Sequence, residues 1–230
     1  MLINVEKTHC TFFGFYSLNL RLPDIHYNNN KLIYLDAIRI LGVWFDQRLT
    51  FSKHVSEIRK RLCYKLSVIR RAKSLLPIKI KLNLYYAHIH SLINYCFLVW
   101  GTTSLSHINS ILVIQKATLR INYNVSYVYH SKTLFEQSKI IRIDKFYNYK
   151  LGLELKKLNP FFMTLFTLNN RISSYSFRMH DFYSIPRNRL CIGDTCLNTT
   201  VAKLLNLLHS NNIILFQLSW SELKSRLKVL

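Results

Sequence analysis

Residues 40–77 read ILGVWFDQRLTFSKHVSEIRKRLCYKLSVIRRAKSLLP, and the hydrophobic period changes inside this stretch. Up to Phe45 the residues are mostly β-branched or aromatic, which suits an extended strand. From residue 51 onward the apolar residues Val55, Ile58, Leu62, Leu66, Ile69 and Leu76 recur at three- and four-residue steps. That spacing predicts one helical stripe. Lys53, Lys60 and Arg71 fall on the opposite side, and Lys73 falls on the stripe itself. Ser52 is the predicted N-cap, and Pro77 ends this helix and opens the next.

Working outward, residues 9–16 and 32–45 are rich in aromatic and β-branched residues, with the turn-forming RLPDIHYNNN between them. This predicts strand, loop, then one or two strands. On the C-terminal side, a second helix is expected from Ile78 to Trp100, stopping at Gly101. A third, capped by Ser104 or Ser106, carries Ile108, Ile111, Leu112 and Leu119. Ser131 is the expected cap of a fourth segment, and a longer helix runs to about Leu158, ended by Asn159-Pro160. Residues 161–218 are weakly periodic, and a last amphipathic helix starts at Ser221, with Leu223, Leu227 and Leu230 on one side. The expected fold is α+β and mainly α. A small N-terminal β-hairpin (1–46) precedes a three-helix bundle (47–125) and a helical and irregular C-terminal region (126–230).

Half of the 230 residues are hydrophobic, so a real core can be buried. The chain carries 32 Lys and Arg against 11 Asp and Glu, a net charge of +21. An excess of this size points to a polyanionic partner, nucleic acid before an anionic membrane surface. The excess is uneven: residues 41–100 carry eleven positive and two negative charges, whereas residues 1–40 carry four and three. Within the first helix, Lys53, Arg59, Lys60, Arg70 and Arg71 accompany a single acidic residue, Glu57. A mixed surface is the ordinary design, so this helix is the expected nucleic-acid contact.

Other chemistries find little support. No phosphate-loop or nucleotide-fingerprint glycine pattern occurs. His88 and His90 point about 200° apart on a helix and cannot share a metal. The acidic residues are isolated, with Asp24, Asp36 and Asp46 ten or more positions apart. Two-metal phosphoryl transfer needs carboxylates gathered around ions about 4 Å apart. Five scattered cysteines without a C-x-x-C suggest reduced thiols, and no leader pattern is present. An intracellular protein, in nucleus or cytoplasm, is expected. Leu82–Gln115 lacks Lys, Arg, Asp and Glu, so its length permits a span near 82–100. However, Asn83, His88, His90, Ser91 and Asn94 interrupt it, which favours a buried helix over a membrane span.

The motifs, taken in order, resemble the reverse transcriptases of non-LTR retrotransposons, in particular the jockey-like branch. Asn4, Lys7 and Thr8, followed by an aromatic run, resemble the fourth conserved palm motif. Leu41, Gly42, Val43, Asp46, Leu49 and His54 resemble the signature at the palm–thumb junction. Leu75-Leu76-Pro77, Tyr95 with Trp100-Gly101, Gln115-Lys116 with Arg120, Leu134-Phe135 with Ile143, Arg189 and the closing LKSRLKVL continue in family order.

The resemblance implies a fold and a function. Residues 1–46 would be a palm edge and residues 47–125 a thumb. Lys7 would lie near the departing pyrophosphate as a general acid. Leu41, Gly42 and Val43 would be primer-grip-like. Lys53, Arg59, Lys60, Arg70 and Arg71 would follow an RNA–DNA template–primer backbone. In that family the Mg²⁺-binding carboxylates lie just upstream of the motif that here begins three residues after Met1. The expectation is therefore a truncated remnant of an RNA-directed DNA polymerase that retains no metal or other cofactor and takes no small-molecule substrate. The rival readings are a stand-alone basic helical protein that binds RNA structurally, and a membrane protein.

Overall fold

The computed structural model describes residues 8–14, 23–27, 30–157, 183–187, 191–215 and 217–229. Among these residues helices dominate, and strands are confined to two short antiparallel pairs near the N-terminus. Strand β1 (His26–Tyr27) pairs with β2 (Asn30–Lys31), and β3 (Ala37–Ile40) pairs with β4 (Val43–Asp46). Part of the stretch expected to be loop, His26–Tyr27 and Asn30–Lys31, is thus a short antiparallel pair. The strand expected at 9–16 is reduced, within its described part, to one isolated bridge between Cys10 and Tyr34.

The hairpin β3–β4 closes through Leu41 and Gly42, both left-handed at φ 47° and 86°. Two consecutive positive φ values are the geometry of a two-residue turn that matches strand twist. Gly42 adopts its angle freely. Leu41 does not, and its carbonyl is held by the hydroxyl of Tyr95. Val43, 2% exposed, turns into the core and anchors the hairpin to the helices.

Helix α1 (Ser52–Arg71) buries Val55, Ile58, Leu62, Leu66 and Ile69, five of the six residues of the sequence stripe, together with His54. Leu76 lies beyond its end. Its N-cap is Phe51, not Ser52: Phe51 sits at φ 58° and has no side-chain cap bond. The work of ordering this entry falls instead on Asp46, whose carboxylate accepts from the Thr50 amide (2.8 Å) and hydroxyl (3.1 Å).

The helix expected over Ile78–Trp100 is broken. Its parts are α2 (Ile78–Leu84), a π-helical turn (Tyr85–His90), α3 (Ser91–Asn94) and α4 (Phe97–Trp100). Tyr85, Ile89, Ile93 and Phe97 are all buried, a strict four-residue step. On an α-helix such a step overshoots by about 40° each time. The wider i→i+5 turn takes up the overshoot and keeps the side chains aimed inward. At Tyr95–Cys96 the chain leaves the helix, with ψ 120° at Tyr95 and φ 48° at Cys96. No helix among the described residues is long and apolar enough to cross a membrane, and the interval that could have held a span consists of these short pieces.

Helices α5 (Leu105–Asn122), α6 (Ser131–Ser138) and α7 (Ile143–Lys157) follow. Then come α8 (Cys191–Asp194), α9 (Leu197–Ser210) and α10 (Trp220–Val229). Two cores result. The first joins α1, the π turn, α4, α5, α6 and the start of α7 around Leu62, Tyr85, Trp100 and Leu119. The second joins the end of α7 to α9 and α10 through Leu151, Leu155, Val201, Leu205, Leu223 and Leu227. Gly101, between α4 and α5, sits where a Cβ would lie 2.5 Å from the Phe97 carbonyl oxygen and 3.0 Å from the rings of Phe97 and Tyr147. Only glycine fits there.

Candidate nucleic-acid interface

Helix α1 is amphipathic, and the charged residues outside its buried stripe are cationic with a single exception. At about 100° per residue, Lys53, Lys60 and Arg71 align on the line opposite the buried stripe. Arg59 and Arg70 flank them on one side. All five are exposed. On the other flank lie Arg61 and Lys65, which belong to no motif of the series although the same angular arithmetic places them there. Tyr64, 63% exposed, stands on the central line between Lys60 and Arg71, with the Lys65 ammonium 5.8 Å from its ring centre. Glu57 is the helix's only acidic residue and is engaged with Lys60 at 3.4 Å. An exposed, i,i+3 pair of this kind contributes little, so Lys60 is readily recruited by a phosphate.

The hairpin meets α1 at its N-terminal end. The Lys53 ammonium lies 3.7 Å over the Trp44 ring of β4. The Trp44 amide donates to His54 Nδ1 (3.4 Å), and the His54 ring packs edge-on against Trp100 at 5.4 Å between centroids. His54 is therefore the joint of hairpin, α1 and α4. Burial first, then the charges of Arg61 and Arg39, pushes its pKa down to about 4. Its Nε2 has no hydrogen-bond partner among the described residues. The imidazole is thus neutral at neutral pH.

A folded-state pKa depressed from 6.5 makes protonation unfavourable to folding. The contribution is full above the unfolded value and is lost as pH falls toward the folded one. Going from about pH 7 to about pH 5 should cost about 2 kcal/mol at this one group. Urea midpoints at the two pH values measure it, and His54→Gln should remove most of the difference.

Of the sequence-derived site residues, Leu41 and Gly42 are at the exposed hairpin tip, Leu41 at 84% exposure, whereas the Val43 side chain faces the core. Lys7 and Arg189 lie outside the described residues.

Most other members of the motif series prove to be scaffold. Asp46 orders the α1 entry. The Trp100 indole donates to the Tyr95 carbonyl (2.8 Å), fixing the chain break that aims Tyr95 at the hairpin. Gln115, 2% exposed, donates to the Tyr85 hydroxyl (2.8 Å) and the Ile141 carbonyl (2.9 Å) and accepts from the Ile143 amide (3.1 Å). Leu134, Phe135 and Ile143 are buried in the first core. Arg120 holds the loop before α6, donating to the Tyr129 carbonyl at 3.1 Å. A signature composed of such residues specifies how this arrangement folds.

Comparison with known proteins agrees with that signature. The chain is 30% identical over 171 residues to the probable RNA-directed DNA polymerase from transposon X-element of Drosophila melanogaster, covering 73% of this chain and 16% of that protein. The chain is related to the RNA-directed DNA polymerases of jockey-like non-LTR retrotransposons. The polymerase from mobile element jockey of the same fly is 29% identical over 121 residues, 51% of this chain and 13% of that protein. Its counterpart in Drosophila funebris is 25% identical over 122 residues. The matches cover only a small part of each polymerase's length. No protein-family profile and no solved structure matches the chain. Polymerases of this kind imply Mg²⁺. Among the described residues, however, no three His, Cys, Asp or Glu side chains gather in a way that could hold an ion.

Proposed function

We propose that this polymerase-related chain is a nucleic-acid-gripping, thumb-like region, with α1 laid along the backbone of an RNA–DNA template–primer. The observation that carries the reading is the division of α1 itself. The apolar residues of its stripe are buried, and outside the stripe the helix carries seven cations and one acidic residue. Phosphate contacts of this kind fix position and carry little sequence information, as a polymerase that copies any template requires. On this reading the hairpin tip at Leu41–Gly42, braced by Tyr95, stands where the primer strand passes, and Lys7 assists the leaving pyrophosphate only in the company of a metal-bearing palm.

The reading separates grip from chemistry. The purified chain should retain a labelled RNA–DNA hybrid on a filter at low salt and incorporate no nucleotide with Mg²⁺ or Mn²⁺. Among the described residues, no three His, Cys, Asp or Glu side chains gather to hold the ions such chemistry uses. Incorporation above background would refute the separation, and failure to retain the hybrid would refute the grip.

A further inference from the structure

Where the first and second cores adjoin along α7 there is a cavity that the α1 reading does not use. It lies between the π turn with α3, helix α7 and helix α10, and measures about 610 Å³. This is within the range of pockets that hold one small ligand. Its walls combine two kinds of chemistry. Phe146, Tyr149 and Trp220 supply aromatic surface, and Lys150, Lys157 and Lys224 supply ammonium groups. Trp220 remains 43% exposed. The Lys156 ammonium lies 5.3 Å from the Trp220 ring centre and donates to the Leu218 carbonyl, so the indole is held in place from the α7 side.

The cations are undercompensated. Glu154 is the single carboxylate in the wall, and it pairs with Lys157 at 2.8 Å. Lys150 donates to the Asn94 side-chain oxygen (2.6 Å), a neutral acceptor. Lys224 is exposed and makes no ion pair among the described residues. An anion with an aromatic ring attached satisfies both halves of this wall. Stacking of a base on an aromatic side chain is worth about 1–3 kcal/mol, and ammonium groups take the phosphate. An acidic peptide would use the cations and leave the rings idle. A duplex keeps its bases stacked inside and offers none to a pocket.

We propose that this cavity receives a nucleotide unit of a single-stranded polynucleotide, base against Trp220 or Tyr149 and phosphate among Lys150, Lys157 and Lys224. It would be a second contact, built on other helices than α1 and independent of the template–primer reading.

Trp220 reports on it directly. In a Trp44→Phe background the remaining indoles are Trp220 and the fully buried Trp100. Titrating the full chain with a short single-stranded oligothymidylate should quench emission by roughly half, and Trp220→Phe should abolish that change. Lys150→Gln with Lys157→Gln and Lys224→Gln should raise the midpoint about tenfold, and Lys224→Gln alone about threefold. Lys224→Gln, at an exposed and unpaired position, keeps the test usable if the triple variant does not fold. Thymidine monophosphate should need at least about tenfold higher concentration, because one unit lacks the neighbouring phosphates. Neutralising Lys53, Lys60 and Arg71 should leave the quench in place, which separates this site from α1. The proposal is overturned by an absent quench, by a midpoint indifferent to the lysines, by equal potency of the monophosphate, or by quenching with anionic lipid vesicles in place of the oligonucleotide.

Discussion

Gln115→Leu should unfold much of this protein. The side chain makes three hydrogen bonds from a position 2% exposed, to the π turn at Tyr85 and to both sides of the entry into α7. Leucine leaves a hydroxyl, a carbonyl and an amide without partners in a dry core, at about 1–3 kcal/mol each. The expected loss is about 3–5 kcal/mol, a large part of the about 5–15 kcal/mol available to a domain. It would appear as a lower urea midpoint with little change in slope. Gln115 belongs to the motif series that links the chain to reverse transcriptases, so the result also decides what that motif does. If Gln115 touched nucleic acid, the variant would stay folded and lose affinity. If Gln115 is scaffold, affinity is lost only as the fold is lost, and a stability change below about 1 kcal/mol would contradict that role.

The second large effect concerns α1. Replacing Lys53, Lys60 and Arg71 together by glutamine removes the three cations on the line farthest from the core. Each is exposed, so the fold should hold. Each neutralised phosphate releases close to one counterion, and losing three should weaken hybrid binding on the order of 10²-fold at about 0.1 M salt. Arg59, Arg61, Lys65 and Arg70 remain to retain part of the affinity. The same three substitutions made on an ordinary solvated face would change binding by less than about twofold.

The parts of the fold that are legible in the sequence are those decided locally. The stripe of α1 and the apolar faces of α5 and α10 follow from spacing alone, and so does the cationic face. The illegible parts are decided by contacts distant in sequence. Ile78–Trp100 contains no glycine or proline and is apolar on most sides, so nothing local announces its breaks. The break at Tyr95–Cys96 serves Leu41, 54 residues away, and the π turn serves a four-residue step that only the packed core reveals.

Helix α9 escapes a sequence reading for a different reason. Val201, Leu204, Leu205 and Leu208 do carry a helical period, but they follow a long stretch without one, and the period is submerged in an interval that reads as irregular. The candidate site divides the same way. The helix spacing places Lys53, Arg59, Lys60, Arg70 and Arg71 correctly on the surface. Leu41, Gly42 and Val43 form one unit in the sequence motif, although a turn with two left-handed residues sends Leu41 out and Val43 in.

The measurement that bears most directly on whether α1 grips nucleic acid is the salt dependence of hybrid binding, made side by side on the unaltered chain and on the Lys53, Lys60 and Arg71 to glutamine variant. The slope of log affinity against log salt should become shallower by about 2.7, close to 0.9 for each contact removed. Equal slopes for the two proteins would show that the cationic face of α1 does not touch the phosphates.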